Sequence, residues 1–186
     1  MNALIIHGTY GNPNSNWFPW LKAELEKLDF EVYVPEFPTP ENQNLENWFK
    51  VFEEYEKYID ENSIIIGHSL GSAFILNILE KIKQKIKAAF LVAGFIGLLN
   101  NPNFDELNRT FIEKKFDWNK IKQNCKQFFI YNSDDDPYIP LEKGKKLAEN
   151  LDSELILVKS AKHFNTEAGY NEFPILLKDI KNLIKK

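Results

Sequence analysis

Six short runs rich in apolar and β-branched residues recur along the chain: Ala3–Ile6, Glu31–Val34, Ile64–Ile66, Ala88–Val92, Phe128–Tyr131 and Leu155–Val158. Several are apolar without alternation, as in strands covered on both faces. Between them lie amphipathic stretches near residues 18–28, 44–60, 70–84 and 141–150, with a last one near 172–185. In the first of these, Phe18, Leu21, Leu25 and Leu28 fall on one helical stripe. Strands alternating with helices predict an α/β fold, a mostly parallel sheet of about six strands with helices on both faces. The fixed hand of the crossovers favours a doubly wound order.

Residues 94–118 break the rhythm. They carry Phe95, Ile96, Leu98, Leu99, Phe104, Phe111, Phe116 and Trp118 around the polar turn Asn100-Asn101-Pro102-Asn103. Two readings fit: a small lid with a helix near 105–115, or an ordinary crossover whose apolar residues pack the core. No repeat, low-complexity tract or linker divides the sequence, so residues 1–186 are expected to form a single domain.

Composition narrows the class. With 44% hydrophobic residues, 15 Phe and 4 Trp, the chain can build a substantial core. A formal charge of −4 gives no electrostatic footprint for nucleic acid or an anionic membrane. Cys125 is the only cysteine, so disulfide frameworks and Cys-rich metal sites are excluded. The N-terminus lacks a basic leader, and no apolar run approaches a bilayer-spanning length. These features predict a cytoplasmic protein.

In parallel α/β sheets, ligands bind beyond the carboxyl ends of the strands. Four unusual polar clusters fall there: His7-Gly8-Thr9, Gly67-His68-Ser69, Ser133-Asp134-Asp135-Asp136 and Lys162-His163-Phe164. The second belongs to Gly67-His68-Ser69-Leu70-Gly71, a Gly-x-Ser-x-Gly between a strand and a helix. That pattern is a nucleophile elbow, a turn so tight that the serine projects and its flanking positions must be bare. The alternative is a glycine-rich turn in which Ser69 caps the helix.

A serine hydroxyl is a weak nucleophile and needs a base. His68 is too close to Ser69 in a tight turn, so its ring should pack beside the elbow. His7 ends the first strand and shapes the loop there. His163 lies in the loop after the last strand, free to reach the sheet edge. The order Ser…Asp…His is that of α/β-hydrolases. Asp134, Asp135 and Asp136 are candidates for the acid that orients the base. The run Asp136-Pro137-Tyr138-Ile139-Pro140 is favoured, because its two prolines stiffen the loop. Asp134, and with it Asp135, fits an acidic, solvated turn. A calcium loop starting at Asp134 fails, having Ile139 and Lys145 where glycine and glutamate are needed.

Acyl transfer also needs donors for a tetrahedral oxyanion. The Leu70 N–H, next after the serine, supplies one. The loop His7-Gly8-Thr9-Tyr10-Gly11 supplies the second, with the Thr9 N–H first choice and the Tyr10 N–H second. The glycines of this loop match neither the dinucleotide nor the phosphate-loop pattern.

Together, His7-Gly8, Asn16-Trp17-Phe18-Pro19-Trp20-Leu21, the elbow, residues 133–140 and His163-Phe164 resemble the small serine hydrolases related to retinoblastoma-binding protein 9. The resemblance runs nearly end to end. It implies a compact α/β-hydrolase fold without a large cap domain, and metal-independent chemistry with no cofactor. It also implies Ser69 as nucleophile, Asp136 as orienting acid and His163 as base; the choice of Asp136 over Asp135 leans on it. Relatives often have glycine before the histidine, where this chain has Lys162. The Leu-x-Cys-x-Glu motif for retinoblastoma binding is absent, so no such partner is expected.

The sequence therefore predicts a serine hydrolase of small esters, thioesters or amides. A peptidase or aminoacyl hydrolase with the same residues is the nearest rival, and a non-catalytic binder on a hydrolase scaffold the second. Tyr10, Trp17, Trp20, Phe95 and Trp118 are candidate pocket residues, and the short 94–118 segment favours a small or shallowly bound acyl group.

Overall fold

The computed structural model describes residues 1–185. In chain order the elements are β1 (Asn2–Ile6), α1 (Phe18–Glu26), β2 (Glu31–Tyr33), α2 (Leu45–Glu56), β3 (Ile64–His68), α3 (Leu70–Lys81) and β4 (Ala88–Val92). There follow α4 (Pro102–Ile112), α5 (Trp118–Gln123), β5 (Phe128–Ser133), α6 (Leu141–Asn150), β6 (Leu155–Val158), a short 3-10 turn and α7 (Pro174–Ile184). The six strands form one sheet, all parallel, in the order β2-β1-β3-β4-β5-β6. This is the doubly wound α/β-hydrolase architecture that the sequence predicts.

The central strands are apolar on both faces because both faces are covered. Every residue of β3 and β4 is buried. On one face, Trp48 of α2, Phe74 of α3 and Phe111 of α4 form a cluster of edge-to-face aromatic contacts. On the other, Trp17 and Phe18 beside α1 pack with Phe173 at the start of α7. The helix between them in the order, α3, is the most enclosed, buried without a break from Leu70 to Leu79.

Two boundaries differ from the pattern for a local reason. The third strand continues two residues past its apolar run, because Gly67 and His68 still pair with Leu91 and Val92. The segment 94–118 holds α4, whose lower half is locked into the core by Phe111 and Ile112. It is a crossover with an anchored helix, and Leu99, Phe104 and Asn108 of this segment reach the carboxyl edge of the sheet. The six-residue α5 escapes the pattern; the Asp117 side chain starts it by accepting from Lys120 N–H.

The strand order reverses at β1, which feeds β2 on one side and neighbours β3 on the other. The crevice between the carboxyl ends of β1 and β3 is the switch point at which such folds bind ligands.

Candidate active site

Ser69 follows β3 with φ 55° and ψ −119°, a strained conformation for a residue with a β-carbon. Its backbone is held on both sides: Ser69 N–H donates to Val92 O at 2.8 Å, and Ser72 N–H donates to Ser69 O at 3.0 Å. The hydroxyl of Ser72 ties Gly67 O and Val92 O beneath the turn. A β-carbon on Gly67 would meet Gly71 C at 2.6 Å, and one on Gly71 would overlap the Ile6 carbonyl. The two glycines therefore let strand, helix and β1 converge. The Ser69 side chain makes no cap to α3, which excludes the helix-capping alternative. It lines a cavity of about 330 Å³ at the switch point, together with Gly8, Thr9, His68 and His163.

The loop after β1 lies directly on the elbow. His7 is buried and fixed in one neutral tautomer: Phe37 N–H donates to its Nε2 at 3.0 Å, so Nδ1–H is the donor to Gly8 O at 2.8 Å. Burial holds its pKa below the ordinary histidine value. Gly11 N–H donates to the same Gly8 oxygen at 3.0 Å. Across a trans peptide, N–H and C=O point opposite ways, so the Thr9 N–H is turned away from these partners. Neither it nor the Leu70 N–H has a hydrogen-bond partner among the described residues. The Tyr10 N–H is occupied, donating to Thr39 Oγ1 at 2.8 Å.

The loop after β6 carries His163, and four consecutive residues of the β5 turn hold it. Ala161 N–H donates to Ser133 Oγ at 3.0 Å, Ser160 N–H to Asp134 Oδ1 at 2.8 Å and Lys162 N–H to Asp135 Oδ1 at 2.7 Å. His163 Nδ1 lies 2.8 Å from Asp136 Oδ2. Asp134 and Asp135 are exposed, but they are not merely solvated: their carboxylates cover backbone donors of a loop with left-handed φ at Ser160, Lys162 and Phe164. The Ser133 hydroxyl and Lys162 N–H hold the Asp135 carboxyl below the usual carboxylate range. The left-handed φ of 47° at Lys162 accounts for glycine being well suited to that position.

Asp136 differs from its neighbours. Its side chain is fully buried, and its second oxygen accepts Tyr138 N–H at 2.9 Å and Ile139 N–H at 3.0 Å. The remaining oxygen is thereby aimed at the imidazole, and His163 Nδ1 is the donor to it. Nε2 is then left as an acceptor. Among the described residues no hydrogen bond joins Ser69 to His163, although both face the cavity.

His68 does more than pack beside the elbow. It lines the cavity, and its Nε2–H donates to His163 O at 2.7 Å. Burial, with His163 close by, pushes its pKa down to about 3, so the ring is neutral.

Of the five candidate pocket residues, Tyr10 lines the cavity and the four other aromatics do not. Trp17 is fully buried, and its indole N–H donates to Phe164 O at 3.0 Å, anchoring the His163 loop from below. Phe95 is fully buried in the core. Trp20 packs partly buried on the core edge, and Trp118 starts α5 with its ring against Phe116. Aromatic type alone does not distinguish core from cavity. The cavity wall is instead an arc of rings, Tyr10 to Phe104 to Tyr138 to His163, with centroids 6.2, 5.8 and 4.9 Å apart. Asn108 of α4 completes it. Phe104 and Asn108 carried no site signal in the sequence.

The serine hydrolase family model matches residues 3–182. The Bacillus subtilis protein YdeN is 31% identical over 176 residues, covering 94% of this chain and 91% of its own. The crystal structure of YdeN superposes with a TM-score of 0.93 at 30% identity, covering 100% of this chain and 99% of that one. The serine hydrolase RBBP9 of Rattus norvegicus is 28% identical over 185 residues, covering 98% of this chain and 95% of its own.

Proposed function

This chain belongs to the serine hydrolase family, and from that premise we propose that it cleaves small ester, thioester or amide substrates through an acyl-enzyme on Ser69. The observation that carries the reading is the 2.8 Å contact of buried Asp136 with His163 Nδ1, in a cavity that also holds the strained, uncapped Ser69. With Nδ1 committed as donor, His163 Nε2 is the acceptor a serine proton needs. Contact between Ser69 and Nε2 is expected to tighten when substrate is bound, as catalytic hydrogen bonds often do.

Ser69 Oγ attacks the carbonyl carbon while its proton passes to His163 Nε2. The resulting oxyanion accepts from the Thr9 and Leu70 N–H groups, both without a partner among the described residues, whereas the Tyr10 N–H is already committed to Thr39. The carbon–leaving-group bond then breaks, and Nε2–H protonates the leaving group. Water, deprotonated by the same nitrogen, releases the acid and restores Ser69.

An aminoacyl hydrolase with the same residues is the second reading. Glu167 on the cavity wall favours it, since a carboxylate there offers a partner to a free ammonium group. Aminoacyl p-nitroanilides beside simple p-nitrophenyl esters, with Glu167→Gln, separate the two. The primary test is labelling with a fluorophosphonate probe. Modification of Ser69, lost in Ser69→Ala together with ester turnover, is the expected result. An unlabelled folded protein would favour a binder on a hydrolase scaffold.

A further inference from the structure

A partly buried polar network joins the loop after β1 to α4, and a backbone carbonyl fixes its direction. Tyr10 N–H donates to Thr39 Oγ1 at 2.8 Å, and the Thr39 hydroxyl lies 2.5 Å from Gln43 Oε1, to which it donates once the Gln43 amide is fixed. At the other end Leu107 O can only accept, and it accepts from Gln43 Nε2 at 3.1 Å. The Gln43 carboxamide therefore has one allowed orientation. Its Nε2 also lies 3.0 Å from Asn108 Oδ1, and Thr9 Oγ1 lies 2.7 Å from the same atom. Reversing the Asn108 carboxamide would set its NH2 against the Gln43 NH2. Asn108 is thus held with Oδ1 on the network and Nδ2 on the other side.

Asn108 is 2% exposed and lines the cavity, and its Nδ2 has no hydrogen-bond partner among the described residues. That nitrogen is not sealed in the core with the buried atoms that lack a partner, so it is open to the cavity and to an acceptor on whatever binds there. Asn108 shares the buried face of α4 with Asp105, Phe111 and Ile112; its Oδ1 serves the network, whereas its Nδ2 serves no contact within the described fold. Asn108 is joined to Thr9, the residue whose N–H is the proposed oxyanion donor, and so stands beside the loop that would hold the scissile carbonyl. A leaving group must face His163 to be protonated, so the acyl portion is the part that faces Asn108.

We propose that Asn108 is a substrate-contacting residue whose Nδ2 donates to an acceptor oxygen on the bound acyl group, so that the site favours acyl groups bearing an ether or carbonyl oxygen over their hydrocarbon isosteres. The inference rests on Ser69 hydrolysis as set out above. It adds a class of substrate: short acyl groups with a second oxygen near the scissile carbonyl.

Two isosteric pairs test it: p-nitrophenyl methoxyacetate against butyrate, and 4-oxopentanoate against 4-methylpentanoate. Each kcat/KM ratio is referenced to the ratio for hydroxide-catalysed hydrolysis, which removes intrinsic reactivity. Wild type should prefer the oxygen-bearing member by about two- to tenfold, the worth of one neutral hydrogen bond. Asn108→Leu should abolish that preference. Asn108→Asp keeps an oxygen for Thr9 and Gln43 while replacing the donor, so it should abolish or invert the preference with the network retained. A purely structural Asn108 would lower both members of a pair equally.

A wild-type ratio equal to the hydroxide ratio in both pairs overturns the proposal, whether or not the variants fold. So does a preference that survives in both variants. If Ser69→Ala hydrolyses these esters at the wild-type rate, the Ser69 assignment itself fails and this proposal falls with it. Ser69-dependent turnover with no oxygen preference sinks the Asn108 role alone.

Discussion

A β-carbon on Gly8 would lie 2.8 Å from the Ser69 β-carbon and 3.4 Å from Leu70 N. The loop after β1 and the elbow after β3 are thus in contact at their backbones, across the crevice where the strand order reverses. Gly8 also lends its carbonyl to His7, which orients the peptide that carries the Thr9 N–H. One residue therefore sets both the spacing and the direction of a proposed oxyanion donor.

Gly8→Ala is expected to push that loop off the elbow. Overpacking of this kind costs about 1–3 kcal/mol of stability. Displacing the donor by about 1 Å should lower kcat/KM for p-nitrophenyl acetate about a hundredfold, mostly in kcat. Urea unfolding and steady-state kinetics on the same preparation read the two effects separately. Wild-type kcat in a folded Gly8→Ala protein would remove this loop from the reaction.

Asp136→Asn should be far more damaging than its single-atom change implies. Tyr138 N–H and Ile139 N–H both point at one carboxylate oxygen and will hold the amide oxygen there. The amide NH2 is then forced onto His163 Nδ1. The imidazole must turn to the tautomer with its proton on Nε2, which cannot accept from Ser69. A wrong tautomer in this arrangement costs about 10⁴ in rate. Asp135→Asn retains an oxygen for Lys162 N–H, and its kcat/KM should change by less than about tenfold. Equal losses in the two variants would show that Asp136 has no special place.

The sheet was legible because fully covered strands read as unbroken apolar runs; β4 and β6 begin and end where the sequence places them. Ser69 stood out for the opposite reason, as a hydroxyl and two glycines where a core strand meets a helix. His163 was reached by elimination among three histidines. The acid was harder: three adjacent aspartates look alike in sequence, and only the structure shows that each holds a different residue of one loop. The cavity wall was not legible. Trp17 and Phe95 are as aromatic as Phe104 and Tyr138, and only packing decides which rings face solvent. Gln43 and Asn108, 65 residues apart, are ordinary surface-type residues until the fold joins them.

Cys125 should be a clean reporter of unfolding. It is 3% exposed, its Sγ–H donates to Gln127 O at 3.1 Å, and burial pushes its thiol up to about 12. The thiolate is the reactive form, so a disulfide reagent at pH 8 must wait for the structure to open. Native labelling should be slower than labelling in urea by about a hundredfold or more. Rapid labelling of the folded protein would contradict the burial of this strand edge.

The acid side of stability should be governed in part by His68. Its folded pKa is about 3, lowered by burial and by the neighbouring His163, against an ordinary value near 6.5. Between those values the unfolded chain binds a proton on this residue and the folded protein does not. Its contribution is therefore complete above pH 6.5 and is lost as pH falls through the window toward 3. One such group gives a slope of up to about 1.4 kcal/mol per pH unit. His7, also buried and lowered, adds in the same direction. His68→Gln keeps a donor for His163 O but cannot be protonated in this range. Its urea-unfolding free energy should therefore fall less steeply than that of wild type between pH 6.5 and 4.5. Parallel stability curves would mean that His68 is protonated, or solvated, in the folded protein. The neutral Nε2–H contact that holds the His163 carbonyl would then be incorrectly assigned.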